Sequence, residues 1–454
     1  MDPLKKQLPS SFKDPAGFVF MENGTCHRQI NPAGLANHNS LMQSGLYQKL
    51  SSSRKLIAHE DVSASPLIIR PTQIPFISYP YEWSFSMLKD AALLTLDIQI
   101  KAIEHQMSLK DGSAFNVQFL DGAPIFIDTL SFEKYPEGKP WAAYGQFCRH
   151  FLGPLALMAH TDISLNKLLT NHIDGIPLDL VSKLLPFKTK LSLGLQIHIH
   201  AHGRKAQTKT STAANAPKRV FSKMALLGLL DSLQSTVKAL QLNLPTTVWG
   251  DYYSITNYNG LASGDKRTIL REFLQKCGPN PVIDLGANDG TYSAIAAELG
   301  HSVLSADFDP VAVEKNYLRN RKAQENRIHP LYLDLTNPTP ALGWAHTERP
   351  SFTERVDPDS IVLALALVHH LAIGYNLPLE KIVAWFAKFA QTLILEFVPK
   401  EDSQVIGMLR SREDIFVNYT IESLHIALKP FFDVVDVRKV DQSERVLLRC
   451  IRKS

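Results

Sequence analysis

From Pro281 onward, short apolar runs alternate with amphipathic stretches. PVIDLG, SVLSADF, IHPLYLDL, SIVLALALV and TLILEFV read as strands, while TYSAIAAELG, VAVEKNYLRNRKAQ and LEKIVAWFAKFA space their apolar positions three and four apart, as helices do. Strands this uniformly apolar must be covered on both faces, which predicts a parallel, doubly wound α/β sheet. The tail departs from that alternation. FFDVVDVRKV and RVLLRCIRK flank a short polar turn, DQSE, and pair as an antiparallel hairpin.

The N-terminal part has a different texture, that of an α+β domain. MLKDAALLTLDIQIKAIEH repeats its apolar residues at helical steps, and VQFLDGAPIFID is two β-rich runs joined by Asp121-Gly122, a strong hairpin signal. FVFMENGTCHRQI reads as a further strand pair. The pattern divides the chain into an N-terminal domain over 1–200, a basic linker and aromatic segment over 201–265, and a C-terminal domain over 266–454.

Composition narrows this picture only a little. The 454 residues are 45% hydrophobic and 20% charged, ample for packed cores, and the net charge is +4. Four scattered cysteines (Cys26, Cys148, Cys277, Cys450) form no C-x-x-C pair and suit free thiols in a reducing compartment. The opening MDPLKKQLPSSF has no apolar core of a secretory signal, and the most apolar stretch, Ile361 to Val368, is too short to span a bilayer. A cytoplasmic protein without a membrane partner is expected; the oligomeric state is left open. Charge is uneven in one place. No acidic residue lies between Asp179 and Asp231, whereas nine lysines and arginines do. Its middle, Gly203 to Pro217, reads as a solvated connector or, alternatively, an anion- or RNA-facing patch.

The candidate chemistry sits at the strand ends. In VIDLGANDG, glycines let the backbone turn sharply beside a ligand. The spacing from Gly286 to Gly290 is not the G-x-G-x-x-G that seats a pyrophosphate. Asp284, two places before Gly286, would repel a pyrophosphate and attract an ammonium group. Asp307 ends the second strand, about 20 residues on, where a carboxylate accepts ribose hydroxyls. Asp334 ends the third.

This set, in this order and with the terminal hairpin, resembles the class I S-adenosylmethionine-dependent methyltransferases over roughly residues 270–454. The resemblance implies a Rossmann-like seven-stranded sheet, S-adenosyl-L-methionine as cofactor, Asp284 and Gly286 at the methionine moiety, Asp307 at the ribose, Asp334 with Leu335 at the adenine, and Asn288, Gly290 and Phe308 as further cofactor-binding residues. Asn288 stands where many members carry glycine or cysteine. The His369-His370 ending of the fourth strand resembles a motif of small-molecule methyltransferases and makes His370 a candidate general base, with a purely structural pair as the alternative. Upstream, Trp249, Tyr252 and Tyr253 stand where related families place a cofactor lid, or else form a packing cluster. Lys266 is either an anion contact or a solvated side chain. In the long segment before the fourth strand, Trp344, Arg349 and Arg355 are acceptor contacts or part of a surface flap. As a whole, the chain is also similar to nodulation-associated methyltransferase-like proteins, which fixes no substrate.

A second constellation lies in SLKDGSAFNVQFLDGAPIFIDTLSFE. Asp111, Asn116 and Asp128 have the order and spacing of a kinase catalytic loop and its metal-binding aspartate, and so resemble the aminoglycoside-phosphotransferase-like branch over about 50 residues. Leu109 replaces the usual histidine, Asp128-Thr129-Leu130 replaces D-F-G, and no glycine-rich phosphate loop precedes it. These departures leave an unrelated α+β domain, or a degenerate kinase-like domain used for binding or scaffolding, ahead of an active phosphotransferase. Ile197-His-Ile-His-Ala-His202, read as a strand, puts three histidines on one face, where a structural role outweighs metal binding; no metal is expected. The chain therefore reads as a methyltransferase acting on a small molecule or protein more readily than on nucleic acid. The alternatives are a scaffold with a vestigial pocket and an RNA methyltransferase.

Overall fold

A computed structural model describes residues 5–202, 221–243, 260–410 and 413–453. Two units divide the chain: 1–244 together with 341–350, and 245–340 together with 351–454. The connector at 203–217 and the aromatic segment with Trp249, Tyr252 and Tyr253 lie outside the described residues.

In the first unit, β1 (Lys5–Gln7), β2 (Gly17–Glu22), β3 (Thr25–Ile30), β4 (His59–Ala64) and β5 (Leu67–Pro71) form an antiparallel sheet in the order β1-β2-β3-β5-β4. The expected pair in FVFMENGTCHRQI is β2 with β3, turned by Asn23-Gly24, both at positive φ, the conformation a two-residue hairpin requires. The expected long helix runs Phe85–Glu104, opened by Ser84, whose hydroxyl accepts from the Met87 amide. It buries Leu88, Ala91, Leu96 and Ile103 along one face, and the Lys223–Ala239 helix packs on it. Next come β6 (Met107–Leu109), β7 (Val117–Leu120), β8 (Ala123–Phe126) and β9 (Phe132–Lys134), with β6 paired to β9 and β7 to β8 through the Asp121-Gly122 turn.

The histidine run corrects the sequence reading. Gln196–His200 is a π-helical turn, not a strand. His198 bonds with Tyr144 and Ser232, at 2.9 Å each, and His200 with Ser182 (2.8 Å) and Thr189 (3.0 Å). Their nitrogens are held by hydroxyls, and among the described residues no cluster of metal-ligating side chains occurs.

In the second unit, β10 (Val282–Leu285), β11 (Val303–Asp307), β12 (Ile328–Tyr332), β13 (Ser360–Ala364), β14 (Ala390–Phe397), β15 (Phe432–Lys439) and β16 (Val446–Arg452) form one sheet in the order β12-β11-β10-β13-β14-β16-β15. The first five are parallel; β16 runs antiparallel to β14 and β15. This is the Rossmann-like seven-stranded sheet with a terminal antiparallel hairpin that the resemblance implies. Helices Gly260–Gln275 and Thr291–Glu298 contribute Ile269, Phe273, Ile295 and Ala296 to a core shared with Val282, Val303, Ile361 and Leu447. The order reverses between β11-β10 and β10-β13, so the carboxyl ends of β10 and β13 open a crevice there.

Candidate functional site

The crevice is lined by Asp284, Gly286, Asn288, Asp307, Phe308, Asp334, Leu335 and His370, together with Lys266, Tyr292, Leu367, Tyr375 and Arg445. It holds about 1010 Å³ of empty space including its open mouth. Nine of the residues singled out by sequence, Lys266 among them, thus meet in one place. Gly290 stands just behind them: its φ is +78°, and a Cβ there would lie 2.5 Å from the Asn316 side-chain oxygen. Tyr252 lies outside the described residues.

The turn after β10 decides what class of ligand the crevice suits. Gly286 and Ala287 donate their amides to the Ala306 carbonyl at 2.9 and 3.0 Å. The Asn288 amide donates to Asp307 Oδ2 at 2.7 Å, the Asp289 amide to Asn288 Oδ1 at 2.7 Å, and the Gly290 amide to the Ala287 carbonyl at 2.9 Å. The Thr291 amide goes to Asp289 Oδ1 at 3.1 Å. Six successive donors are committed internally, so the turn offers no nest of free N–H groups to a pyrophosphate. Asn288 adopts φ +52°, a left-handed conformation that asparagine tolerates better than most residues, so the departure from glycine leaves the turn intact.

The carboxylates differ in setting. Asp284 is buried and accepts from Ser293 Oγ at 2.7 Å; burial pushes its pKa up to about 6, against the Ser293 hydrogen bond and the Lys266 charge. Asp307 accepts from the Asn288 and Asp309 amides at 2.7 and 2.8 Å, yet burial, helped by the charges of Asp309 and Asp284, lifts it to about 7. Asp334 takes both the Thr336 amide (2.8 Å) and hydroxyl (2.7 Å) on Oδ1, leaving Oδ2 outside that turn.

A buried ionic network underlies the crevice, and sequence reasoning missed it. Lys266 is neither solvated nor waiting for an anion: its ammonium donates to Glu396 Oε2 at 2.5 Å and lies 4.3 Å from the Tyr292 ring centroid. Burial opposes its charge, but Glu396 outweighs that and raises its pKa. Arg445 approaches Glu396 Oε1 at 3.4 Å and Asp402 at 2.7 Å. With Asp284 nearby, two cations face three carboxylates, so the crevice favours a cationic ligand group. The signal was present in TLILEFV: a glutamate inside an apolar strand is seldom buried without a partner.

His370 lines the crevice wall, and its ring centroid lies 4.0 Å from that of His369. Burial and then the Arg445 charge push His370 down to about 4, so the imidazole is neutral at physiological pH. His369 is fully buried, held neutral mainly by burial, and among the described residues neither of its ring nitrogens has a hydrogen-bond partner. Trp344, Arg349 and Arg355 do not line the crevice. The first two belong to the 341–350 segment of the first unit, where the Arg349 guanidinium sits 4.4 Å from the Phe115 ring centroid. Arg355 donates to the Ser351 carbonyl at 3.3 Å.

The second constellation is also drawn together. Asp111 follows β6, Asn116 precedes β7 and Asp128 follows β8. Asn116 hydrogen-bonds Asp111 and donates to Ser131 Oγ at 3.2 Å, and Ser131 donates to Asp128 at 2.5 Å. Burial raises Asp111, with the charge of Asp128 adding to it. Burial works against the Asp128 charge too, but the guanidinium of Arg28 on β3 pairs with that carboxylate and holds its pKa below the usual value.

No protein-family model matches the chain. Among solved structures, it is similar to magnesium protoporphyrin IX methyltransferase from Synechocystis PCC 6803 (14% identity, TM-score 0.32, covering 45% of this chain and 90% of that one). A second is the N-methyltransferase NodS from Bradyrhizobium japonicum WM9 (12%, 0.32, 43% and 97%). A third is the bifunctional kinase-methyltransferase WbdD (14%, 0.32, 46% and 42%), less than half of whose length is matched. In sequence it is 35% identical to the nodulation protein NoeA of Rhizobium meliloti strain 1021 over 460 residues, spanning 98% of this chain and 96% of that protein. The chain therefore belongs to the NoeA family of nodulation proteins; the class I methyltransferase fold of its second unit rests on its own sheet order, five parallel strands followed by the antiparallel hairpin.

Proposed function

We propose that the second unit binds S-adenosyl-L-methionine and transfers its methyl group to a small-molecule or protein acceptor. The observation that carries this reading is the convergence of Asp284, Asp307 and Asp334 on a crevice whose glycine-turn amides are all internally bonded. That donor set fits a cationic nucleoside with free hydroxyls and fits a dinucleotide poorly. Asp284 would face the methionine ammonium, Asp307 the ribose hydroxyls, and Asp334 and Leu335 the adenine edge, with Phe308 covering the base or ribose. When bound, the cofactor supplies a methyl group already activated on a sulfonium, so the residues here mainly position the acceptor in line and exclude water. His370, neutral and on the wall, orients the acceptor and takes up a proton only from a fairly acidic group, since its pKa of about 4 gives little pull.

Isothermal titration of the full chain with S-adenosylmethionine and S-adenosylhomocysteine tests the first step. Saturable heat for both is expected; no heat at millimolar ligand would leave a scaffold with a vestigial pocket. Mass spectrometry of a cell extract incubated with the protein and methyl-labelled donor then identifies the acceptor.

A further inference from the structure

The stretch from Lys183 to Ile197 in the first unit has an unusual division of sides. Leu185 and Leu195 are buried and hold its two ends. Its middle is pinned by a polar residue: Thr189 is buried, donates to the Pro186 carbonyl at 2.7 Å and bonds with His200 at 3.0 Å. His200 is in turn fixed to Ser182. With the backbone anchored this way, the large apolar side chains between the anchors point outward. Phe187 is 74% exposed, Leu191 83% and Leu193 74%, and Leu184 and Ile197 are partly exposed at the margins. A short segment that buries its threonine and presents phenylalanine and two leucines to solvent is shaped for something that covers it.

The charges around it identify the covering surface. Lys188 and Lys190 are exposed between the apolar tips, and the Lys190 ammonium lies 4.9 Å from the Phe187 ring centroid. Lys183 pairs loosely with Asp179, at 3.7 Å. Beyond Asp179 no acidic residue follows until Asp231, so nothing within this stretch of sequence neutralises the lysines. Among the described residues neither Lys188 nor Lys190 forms an ion pair, and apolar tips interleaved with such lysines call for an apolar layer edged with negative charge. We propose that this face adsorbs to an anionic lipid bilayer, with Phe187, Leu191 and Leu193 entering the headgroup–acyl boundary and Lys188 and Lys190 contacting lipid phosphates. A nucleic acid would satisfy the lysines but leave both leucines in water. Adsorption of this kind needs no spanning segment. Among the described residues no helix is long and apolar enough to cross a membrane; the sequence-based expectation of no membrane partner rested on the lack of a secretory signal and of a spanning stretch, neither of which bears on a surface contact.

The test is co-sedimentation of the full chain with vesicles of mixed phosphatidylglycerol and phosphatidylcholine, beside vesicles of phosphatidylcholine alone. Binding to the anionic vesicles that weakens with added salt is expected. The Lys188→Gln/Lys190→Gln pair should lower partitioning about 25-fold, from roughly fivefold per lysine. Leu191→Ser/Leu193→Ser should lower it about 10-fold or more, through lost apolar insertion. Circular dichroism of both variants should match the parent, because every substituted side chain is exposed. Equal sedimentation of parent and variants, no binding to anionic vesicles, or equal binding to neutral ones would overturn the proposal. So would a concentration-dependent dimer, without vesicles, that the leucine variant abolishes; the face would then join two copies of the chain.

Discussion

Lowering the pH should weaken nucleoside binding at the crevice, and the size of the effect follows from its two raised carboxyls. Asp307 titrates near 7 and Asp284 near 6 because both are buried. Under the proposed assignment, ribose hydroxyls and an ammonium group bond to the ionised carboxylates, so protonation of either competes with the ligand. Affinity is therefore full above about pH 8 and is lost as pH falls, first through 7 and then through 6. From pH 8 to pH 6 the competition costs about 10-fold at Asp307 and about 2-fold at Asp284, roughly 20-fold in Kd together. Calorimetry with S-adenosylhomocysteine measures this without turnover. Asp307→Ala should lose about 1–3 kcal/mol of binding at pH 8 through its charge-assisted hydrogen bonds, and should keep only the shallow dependence due to Asp284. A Kd that is flat from pH 8 to pH 6, or one that tightens on acidification, would refute the assignment of these carboxylates to the ligand.

The same raised pKa has a consequence for stability with the opposite pH dependence. A carboxyl raised in the folded state destabilises it once ionised, so Asp284→Asn should gain about 1–3 kcal/mol in urea unfolding at pH 8 and nothing near pH 4, while weakening the ligand. Glu396→Gln should destabilise the second unit by about 3–5 kcal/mol, because it leaves Lys266 and Arg445 buried without their shared carboxylate; an unchanged urea midpoint would contradict the network. In the first unit, Arg28 already neutralises Asp128, so Mg–ATP titrated into the chain should give a Kd no tighter than about 1 mM. Saturable binding at micromolar concentration would mean that the pair opens readily.

The crevice was legible in sequence because each of its main parts has a local signature. Glycines at a strand-to-helix turn and aspartates at successive strand ends are read from spacing alone, and the order of apolar runs gives the sheet. The network beneath it was not legible, since Lys266, the 396–402 stretch with Glu396 and Asp402, and Arg445 are three separated segments that meet only through the fold. The amide bonding of the Gly286–Gly290 turn was equally hidden: sequence shows that glycines permit a close approach, not where each N–H points. The histidine run failed for a different reason. Alternation of His with apolar residues has the period of a strand, but its rings reach hydroxyls on Tyr144, Ser182, Thr189 and Ser232, and those tertiary bonds favour a helical turn.

The first unit shows why a pattern is weaker than its partners. Asp111, Asn116 and Asp128 were picked out by spacing, and the hairpins do bring them within hydrogen-bonding reach of one another through Ser131. Spacing said nothing about Arg28, which lies 100 residues from Asp128 in sequence and pairs with it from a strand of another sheet. A carboxylate meant for a divalent cation must be free to lose water and gain a metal; one already bonded to a guanidinium, the Ser131 hydroxyl and the Leu130 amide must first give those up. The chemistry a kinase-like spacing would imply is thus opposed by an internal cation. In the second unit the opposite holds: burial raises Asp284 and Asp307 against weaker internal partners, and they stay poised for a ligand that supplies the missing charge and donors.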